Sequence, residues 1–345
     1  MLNFNDIFVD DTKYGMKIPK EKYLSVGLYP VIDQSKEQIA GYTDESEGIY
    51  CDVPAIIFGD HTRIIKYIDV PFFLGADGTK LLKIKDNTAF NCKYLYYALS
   101  NAKIPNTGYN RHFKWLKELS FNIPSIEKQR EIADLMDIIV NLENLRKKQL
   151  EKLELFVKSR FIEMFGDPVT NEKGWVKVRL ADKCCIITGN TPPRANEKYY
   201  GSYIEWIKSD NITSSMYLTK AAEYLSEEGL AVGKKVESGS VLMTCIAGSL
   251  KSIGNVAIAD RPVTFNQQIN AVVTNEQNTL FMYEQFKLTK EYITCDVNMA
   301  LKGILSKGQL SEKQFIFPPI ELQNQFADFV AQVDKSKFVV TAKFQ

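Results

Sequence analysis

Two short stretches of the sequence carry side chains whose chemistry suits contact with a nucleic acid. In each stretch the residues are consecutive: His61-Thr62-Arg63, after the pair Gly59-Asp60, and Tyr109-Asn110-Arg111-His112. A Gly-Asp turn exposes the side chains that follow it, and His, Thr and Arg can donate hydrogen bonds to phosphates or base edges. Asn suits adenine, Arg suits guanine, and Tyr can pack on a backbone sugar. The alternative for both stretches is a turn whose side chains hydrogen-bond only locally.

The second half of the sequence holds further DNA-binding candidates. Ser249 and Lys251 lie in a glycine-bounded loop, which suits close approach to a phosphate backbone or forms a simple hairpin turn. Lys208 lies near Asn211, and the amides of Asn211 and Gln267 are of the type that reads adenine, with a satisfied core amide as the alternative for the glutamine. The remaining candidates are basic side chains in loops: Arg194, Lys302 and Lys307. Solvated lysines without a ligand are the alternative for the last two.

The sequence argues against catalytic chemistry in this chain. Asn190-Thr191-Pro192-Pro193 is similar to the Asn-Pro-Pro-aromatic motif that holds a flipped adenine in amino-methyltransferases, but its prolines are displaced by one position and Arg194 replaces the aromatic residue. Asp11-Thr12-Lys13 has the acid-x-lysine form of a metal-dependent nuclease, yet no Pro-Asp strand precedes it. Scattered cysteines without C-x-x-C spacing do not suit zinc. We therefore expect no catalytic residue, no metal site and no cofactor.

Length and composition are those of an ordinary globular protein. The chain has 345 residues, which predicts two globular units, and 45% hydrophobic residues, which can build cores. It carries 43 basic and 42 acidic residues, so that any nucleic-acid surface must be a local patch. No signal peptide and no membrane-spanning apolar run are visible, and we expect a soluble, cytoplasmic protein.

The chain repeats itself at an offset of 194 residues. The segment Ile123–Leu135 recurs as Phe317–Phe329, with identical Pro, Ile, Glu, Gln, Ala and Asp. Each copy reads as the start of a helix that follows a globular region. A tandem duplication is the simplest explanation, with each half made of a variable globular region and the same helix-starting segment.

The first repeated segment opens a long helix. No Pro or Gly interrupts 126–165, and Gly166-Asp167-Pro168 then ends the helix. Apolar residues at coiled-coil spacing predict a subunit interface along it: Ile132, Leu135, Ile139, Leu142, Leu153 and Phe156. The apolar stripe is wider than this seam, which favours a second docking surface over simple self-packing. The second helix, from Pro319, is shorter, so that the coiled coil is expected to be shortened or completed by another chain.

The predicted class is α+β, with two mixed domains joined by long helices that form a coiled-coil spacer. Short strands and turns alternate in both globular regions, and each ends with a helical stretch. The predicted limits are 1–122 for the first domain, 123–166 for the first helix, 167–316 for the second domain and 317–345 for the second helix.

This chain resembles the specificity (S) subunit of type I restriction–modification enzymes. The two Pro-x-Ile-x-x-Gln helix openings carry the resemblance together with short motifs in both domains, namely Tyr29-Pro30-Val31-Ile32-Asp33-Gln34, Phe58-Gly59-Asp60-His61-Thr62, Gly108-Tyr109-Asn110-Arg111-His112, Gly189-Asn190-Thr191-Pro192-Pro193, Trp206-Ile207-Lys208-Ser209-Asp210-Asn211-Ile212, Phe265-Asn266-Gln267-Gln268 and Lys307-Gly308-Gln309-Leu310. The resemblance covers essentially all of residues 1–340.

The resemblance implies a non-catalytic reader of double-stranded DNA. In that family two target-recognition domains alternate with helices that pack as an antiparallel coiled coil, and each domain reads one half of a split target. Two methyltransferase (modification) subunits, which bring S-adenosylmethionine, and restriction subunits are the implied partners. The alternative is a truncated or silent copy that acts only as a coiled-coil interaction scaffold.

Overall fold

A computed structural model describes residues 1–75, 78–108, 110–299 and 303–341. The chain divides into two compact units, Met1–Leu145 and Arg146–Gln345, and the division falls within one long helix. Each unit combines helices with mixed β-sheet, which confirms the predicted α+β class. The domain limits given above at 122, 166 and 316 remain predictions.

The first unit begins with short strands and ends in the first part of the long helix. Its strands are β1 (Leu2–Asn3), β2 (Phe8–Asp10), β3 (Tyr29–Ile32), β4 (Gly41–Thr43), β5 (Ala55–Gly59), β6 (Ile65–Ile68), β7 (Phe73–Leu74), β8 (Thr79–Ile84) and β9 (Ser120–Phe121). Its helices are α1 (Phe4–Ile7), α2 (Cys92–Ser100), α3 (Phe113–Lys117) and the start of α4 (Ile126–Phe165).

Strand β5 is the centre of the first unit's core, because both of its faces are buried. Side chains alternate along a strand, so that Ile56 and Phe58 join a cluster with Leu95 of α2, while Ile57 packs on the other face with Ile32. Burial of each of these side chains stabilises the fold by about 1.5–3 kcal/mol. The first unit has an antiparallel sheet in the order β2-β8-β5-β6 and a second sheet in the order β4-β3-β7. In the second sheet β3 and β7 are parallel.

The second unit repeats this arrangement with more residues. Its strands are β10 (Lys177–Arg179), β11 (Cys185–Thr188), β12 (Tyr200–Ile207), β13 (Tyr224–Leu225), β14 (Lys235–Val236), β15 (Val241–Thr244), β16 (Ile246–Ala247), β17 (Val256–Ile258), β18 (Val263–Phe265), β19 (Ile269–Val273), β20 (Gly303–Ile304) and β21 (Gln314–Ile316). Its helices are α5 (Leu180–Lys183), α6 (Glu227–Val232), α7 (Thr279–Leu288), α8 (Lys290–Thr294), α9 (Lys307–Glu312) and α10 (Ile320–Thr341).

The strand orders of the two units correspond, which confirms the tandem duplication. The antiparallel sheet β11-β19-β15-β17 matches β2-β8-β5-β6, and the strands β13-β12-β18 match β4-β3-β7, with β14 added at the edge in the second unit. In both units the second sheet contains one parallel pair, β12 with β18 and β3 with β7. In the first unit β1 pairs with β9, the strand just before α4. In the second unit β10 pairs with β21, the strand just before α10.

Helices α4 and α10 run antiparallel where they meet. Phe326 of α10 packs edge-on against Phe161 of α4 with ring centroids 5.3 Å apart, and Lys337, further along α10, lies 2.7 Å from the carboxylate of Glu154, earlier in α4. Helix α4 ends at Gly166, whose φ of 75° belongs to the left-handed region that glycine tolerates. The predicted spacer helix is therefore present. In the described ranges, none of the helices has the length and apolar content needed to span a membrane.

Candidate nucleic-acid interface

The turn between β5 and β6 holds the first group of candidate residues. It is closed by backbone hydrogen bonds from the N–H of Gly59 to the carbonyl of Ile64 at 2.8 Å and from the N–H of Arg63 to the carbonyl of Gly59 at 2.7 Å. Arg63 has a φ of 60°, a left-handed conformation that is uncommon for a residue with a side chain. The sequence therefore fixes a tight turn whose tip presents His61 and Thr62.

Asp60 joins this turn to the second candidate stretch. Its carboxylate accepts from the N–H of Phe113 at 2.8 Å, and its carbonyl accepts from the N–H of His112 at 2.8 Å. The guanidinium of Arg63 donates to the carbonyl of Ile104 at 3.2 Å. The two stretches, almost 50 residues apart in the sequence, thus form one surface in the first unit. Asp60 was not among the predicted site residues, and its only signal was its place in the Gly-Asp turn.

The exposed side chains of this surface are those of Thr62, Asn110 and Arg111. His61 and Arg63 are partly buried, and the hydroxyl of Thr62 donates to the carbonyl of Gln34 at 2.8 Å. Local hydrogen bonding, the alternative given for these stretches, is therefore present alongside the exposure. Tyr109 lies outside the described residues.

His112, a predicted DNA contact, does not lie at this surface. Its side chain is 0% exposed, and its Nδ1 lies 3.0 Å from the carbonyl oxygen of Asp60. The imidazole fills the base of the loop against the core instead of reaching its surface. Side-chain type alone could not distinguish this position from Arg111 beside it.

In the second unit, Arg194 and Lys208 meet at one carboxylate. Nη1 of Arg194 lies 2.7 Å from Oε2 of Glu223, whose other oxygen contacts the ammonium of Lys208. These contacts lower the pKa of the Glu223 carboxyl, first through the hydrogen bond from Lys208 and then through that from Arg194. The guanidinium of Arg194 also lies over the rings of Tyr200, at 4.6 Å, and of Trp206, at 4.9 Å. The structure therefore brings together two predicted residues and adds Glu223, which residue type and spacing did not single out.

Asn211, predicted to read DNA, is used inside the fold. Its side chain is buried, its Oδ1 accepts from the N–H of Lys208 at 3.0 Å, and its Nδ2 donates to Thr219 and to the carbonyl of Lys220. The amide is thus used within the turn that follows β12. Gln267, by contrast, is exposed and accepts a hydrogen bond from the hydroxyl of Thr191, which places it beside the loop that carries Arg194.

The last group of candidates lies around β16 and β20. Ser249 and Lys251 are exposed in the loop after β16, where the N–H of Lys251 donates to the hydroxyl of Ser249 at 3.2 Å. Lys307 is exposed at the first turn of α9, and β20, just before it, pairs with β16. Lys302 lies outside the described residues. These positions remain candidates for phosphate contact.

The buried cysteines do not have the properties of nucleophiles or metal ligands. Burial raises the pKa of the Cys92, Cys184 and Cys245 thiols to about 12, so that all three stay protonated at neutral pH. Among the residues that the structure describes, no three His, Cys, Asp or Glu side chains are grouped closely enough to hold a metal ion.

The predicted interface residues of α4 are covered to different extents. Leu153 packs against the second unit's core, and the ring of Phe156 contacts Phe329 of α10 with centroids 4.9 Å apart. Ile132 and Ile139 are partly buried in the first unit. Leu135 and Leu142 are 57% and 43% exposed. This part of α4 therefore keeps an apolar face at its surface.

Comparison with known sequences finds one family in both halves of the chain. The model of the type I restriction modification DNA specificity domain matches residues 3–155 and again residues 172–343. The HindI specificity subunit of Haemophilus influenzae is 31% identical over 118 residues, which are 33% of this chain and 25% of that protein. The EcoR124I/EcoR124II specificity subunit of Escherichia coli is 25% identical over 284 residues, which are 79% of this chain and 69% of that protein.

Solved structures share the fold. An S subunit from a type I restriction–modification system of M. genitalium superposes with a TM-score of 0.64 at 16% identity, covering 99% of this chain and 90% of that one. A second chain from a type I system gives a TM-score of 0.52 at 15% identity with the same coverage. Because two specificity-domain matches span nearly all of the sequence and the two units repeat one topology, the chain belongs to the type I restriction modification DNA specificity domain family.

Proposed function

We propose that this chain is the sequence-specificity subunit of a type I restriction–modification complex, and that each unit reads one half of a bipartite DNA target. The observation that carries this proposal is that two units of the same topology share one continuous helix, α4. A duplicated reader held by a stiff helix of 40 residues suits two half-sites separated by an unread spacer. At about 1.5 Å per residue, such a helix is about 60 Å long.

The chain's own contribution is binding. In the first unit, Thr62, Asn110 and Arg111 offer hydrogen-bonding groups from a loop surface fixed by Asp60. In the second unit, Arg194 and Lys208 do so from positions around Glu223. Phosphate contacts hold such a protein on DNA and contacts to base edges discriminate sequences. Catalysis is left to the partners, and S-adenosylmethionine belongs to the methyltransferase subunits.

The exposed apolar face of α4 supports docking of methyltransferase subunits. Leu135, Ile138, Leu142 and Leu145 are each at least 43% exposed, and their spacing places them on one side of the helix. An apolar face of this extent is usually covered in the functional assembly. We propose two methyltransferase subunits as partners that dock on the helices, restriction subunits as further partners in the full complex, and a cytoplasmic location.

The test is modification-sensitive sequencing of DNA from cells that carry the methyltransferase subunit with or without this chain. A split motif that is methylated only when the chain is present supports the proposal. Exchange of residues 167–316 for the corresponding domain of another specificity subunit then changes one half of the motif and leaves the other. If both halves change, the two units do not read independently. If the complex assembles and no motif appears, the chain is an interaction scaffold.

A further inference from the structure

The loop of residues 189–194 in the second unit is fixed from several sides. The indole Nε1 of Trp206 donates to the carbonyl of Asn190 at 3.2 Å, and the hydroxyl of Tyr200 donates to the carbonyl of Pro192 at 2.6 Å. The side chain of Asn190 donates to the carbonyl of Val232 at 2.8 Å. A Cβ at Gly189 would lie 2.2 Å from the backbone oxygen of Asn266, so that this position admits glycine alone without a shift.

The guanidinium of Arg194 is held at the end of this loop in a defined plane. Tyr200 and Trp206 contact it with their rings, which are themselves 6.0 Å apart, and Glu223 holds Nη1 at 2.7 Å. Even so, the Arg194 side chain is 54% exposed. A long, flexible side chain is thus ordered before any ligand arrives, which reduces the entropy that binding would cost.

The geometry of this cluster indicates which ligand suits the guanidinium. Glu223 contacts both Arg194 and Lys208, so that the three side chains together keep one positive charge and charge alone does not select the ligand. The major-groove edge of guanine is uncharged and offers two acceptors, O6 and N7, at a spacing that fits the planar fork of arginine. The guanidinium of Arg194 is held by Tyr200, Trp206 and Glu223, and a planar fork in a fixed position favours the two acceptors of a guanine edge.

We infer that Arg194 reads a guanine in the half-site recognised by the second unit, and that Glu223 is the positioning residue that holds it for this contact. The inference rests on the proposed function, since it names the base that one of the two units reads. Glu223 acts through Arg194 and keeps the guanidinium plane fixed by the contact at Nη1. It also lowers the attraction of this surface for DNA of unrelated sequence.

The experiment uses the full chain assembled with its methyltransferase subunit. Binding is measured to a duplex that carries the target sequence identified by methylation. It is also measured to duplexes in which each base pair of the second unit's half-site is changed in turn. Arg194→Lys keeps the charge but loses the planar fork, and we expect discrimination at one G·C pair to fall about tenfold while the other positions keep theirs. Arg179→Lys is the matched control, because Arg179 is an exposed arginine of the same unit that pairs with Asp182 at 2.8 Å.

Glu223→Gln gives a second readout that a purely structural role would not produce. Loss of one negative charge should increase affinity for unrelated DNA and steepen the salt dependence by about one unit of slope, while discrimination at the same G·C pair falls several-fold. If Arg194→Lys weakens binding to every duplex equally, Arg194 contacts a phosphate and the inference is overturned. Unchanged discrimination at every base pair of the half-site would overturn it as well. A wild-type complex without any preferred sequence would instead overturn the proposed function itself.

Discussion

The side-chain oxygen of Gln129 accepts a hydrogen bond from the backbone N–H of Asn91 at 2.9 Å. Asn91 is the residue that caps the N-terminus of α2, where its own side chain accepts from the N–H of Tyr94 at 2.9 Å. Gln129 also donates to the carbonyl of Pro124 at 2.9 Å. One buried amide at the start of α4 therefore fixes the first unit's α2 against the long helix.

The second unit repeats this relationship at Gln323. Its Oε1 accepts from the N–H of Asn278, which caps α7, at 3.0 Å, and its Nε2 donates to the carbonyl of Pro318 at 2.8 Å. The glutamine that recurs in both Pro-x-Ile-x-x-Gln segments thus has the same three-dimensional role twice. Its recurrence reflects the joint between a domain and its helix and not a contact with a ligand.

We expect Gln129→Ala and Gln323→Ala each to lower the free energy of unfolding by about 1–3 kcal/mol, because each leaves buried backbone groups without partners. Urea denaturation followed by circular dichroism measures the change. Gln149→Ala is the control, since Gln149 is an exposed residue of α4 and its loss should change stability by less than about 0.5 kcal/mol. Equal effects of the three substitutions would contradict the role of the two buried amides.

The long helix could be predicted to its ends from the sequence, while the candidate site could not. Residues 126–165 contain no Pro or Gly, and Gly166 with Pro168 ends the helix by local chemistry. Helix and stop signals of this kind act within a few residues. β8, by contrast, shows no such local signal, because its Leu81 and Leu82 are buried on opposite faces and the alternation that marks a half-buried strand is absent.

The site depends on contacts between residues distant in sequence. Asp60 reaches Phe113 across 53 residues, and Glu223 meets Arg194 only because their loops converge at β12. Residue type correctly suggested exposed donors at Arg111 and Arg194. It did not indicate that His112 and Asn211 are buried, with side chains that the fold uses internally.

Arg111→Ala should relax the preference for one base pair in the first unit's half-site, at a cost of about 1–3 kcal/mol in discrimination. Its side chain is exposed beside the turn that Asp60 fixes, so that stability should stay within about 0.5 kcal/mol of wild type. Binding of the assembled complex to singly substituted duplexes measures the preference. Uniform weakening on every duplex would make Arg111 a phosphate contact.

His112→Ala should act on stability instead. Removal of a fully buried imidazole that lies 3.0 Å from the carbonyl of Asp60 leaves a cavity and a lost hydrogen bond, and we expect a loss of about 2–4 kcal/mol. Thermal unfolding of the chain gives the value. The half-site preference should persist at temperatures where the variant is folded, and a changed base preference there would mean that His112 contacts DNA after all.

Glu205→Gln tests the ion pair that anchors β12. Arg261 donates from Nε to Oε1 of Glu205 at 2.6 Å and from Nη2 to Oε2 at 2.8 Å, and these hydrogen bonds lower the pKa of the Glu205 carboxyl. A depressed pKa in the folded state contributes stability that is present above the unfolded value of 4.5 and is lost as pH falls through the folded value.

At pH 7 we therefore expect Glu205→Gln to be less stable than wild type by about 1.5–3 kcal/mol, and the difference to shrink as the pH falls below 4.5. Urea denaturation at a series of pH values measures both quantities. Glu228→Gln, at an exposed residue in α6, is the control and should show no such difference. A gap that stays constant with pH would mean that packing, and not the ionised pair, is lost.

The exposed apolar face of α4 can be tested as a docking surface by substitution. Leu135 and Leu142 are 57% and 43% exposed in the chain alone. The double substitution Leu135→Ser and Leu142→Ser should therefore change the chain's free energy of unfolding little. If methyltransferase subunits cover this face, the same two substitutions should weaken assembly at least tenfold, because burial of a leucine contributes about 1.5–3 kcal/mol. Analytical ultracentrifugation of the mixed subunits measures assembly. Asn144→Ser, at an exposed position on the other side of the helix, is the control, and equal assembly of both variants would exclude this face as the docking surface.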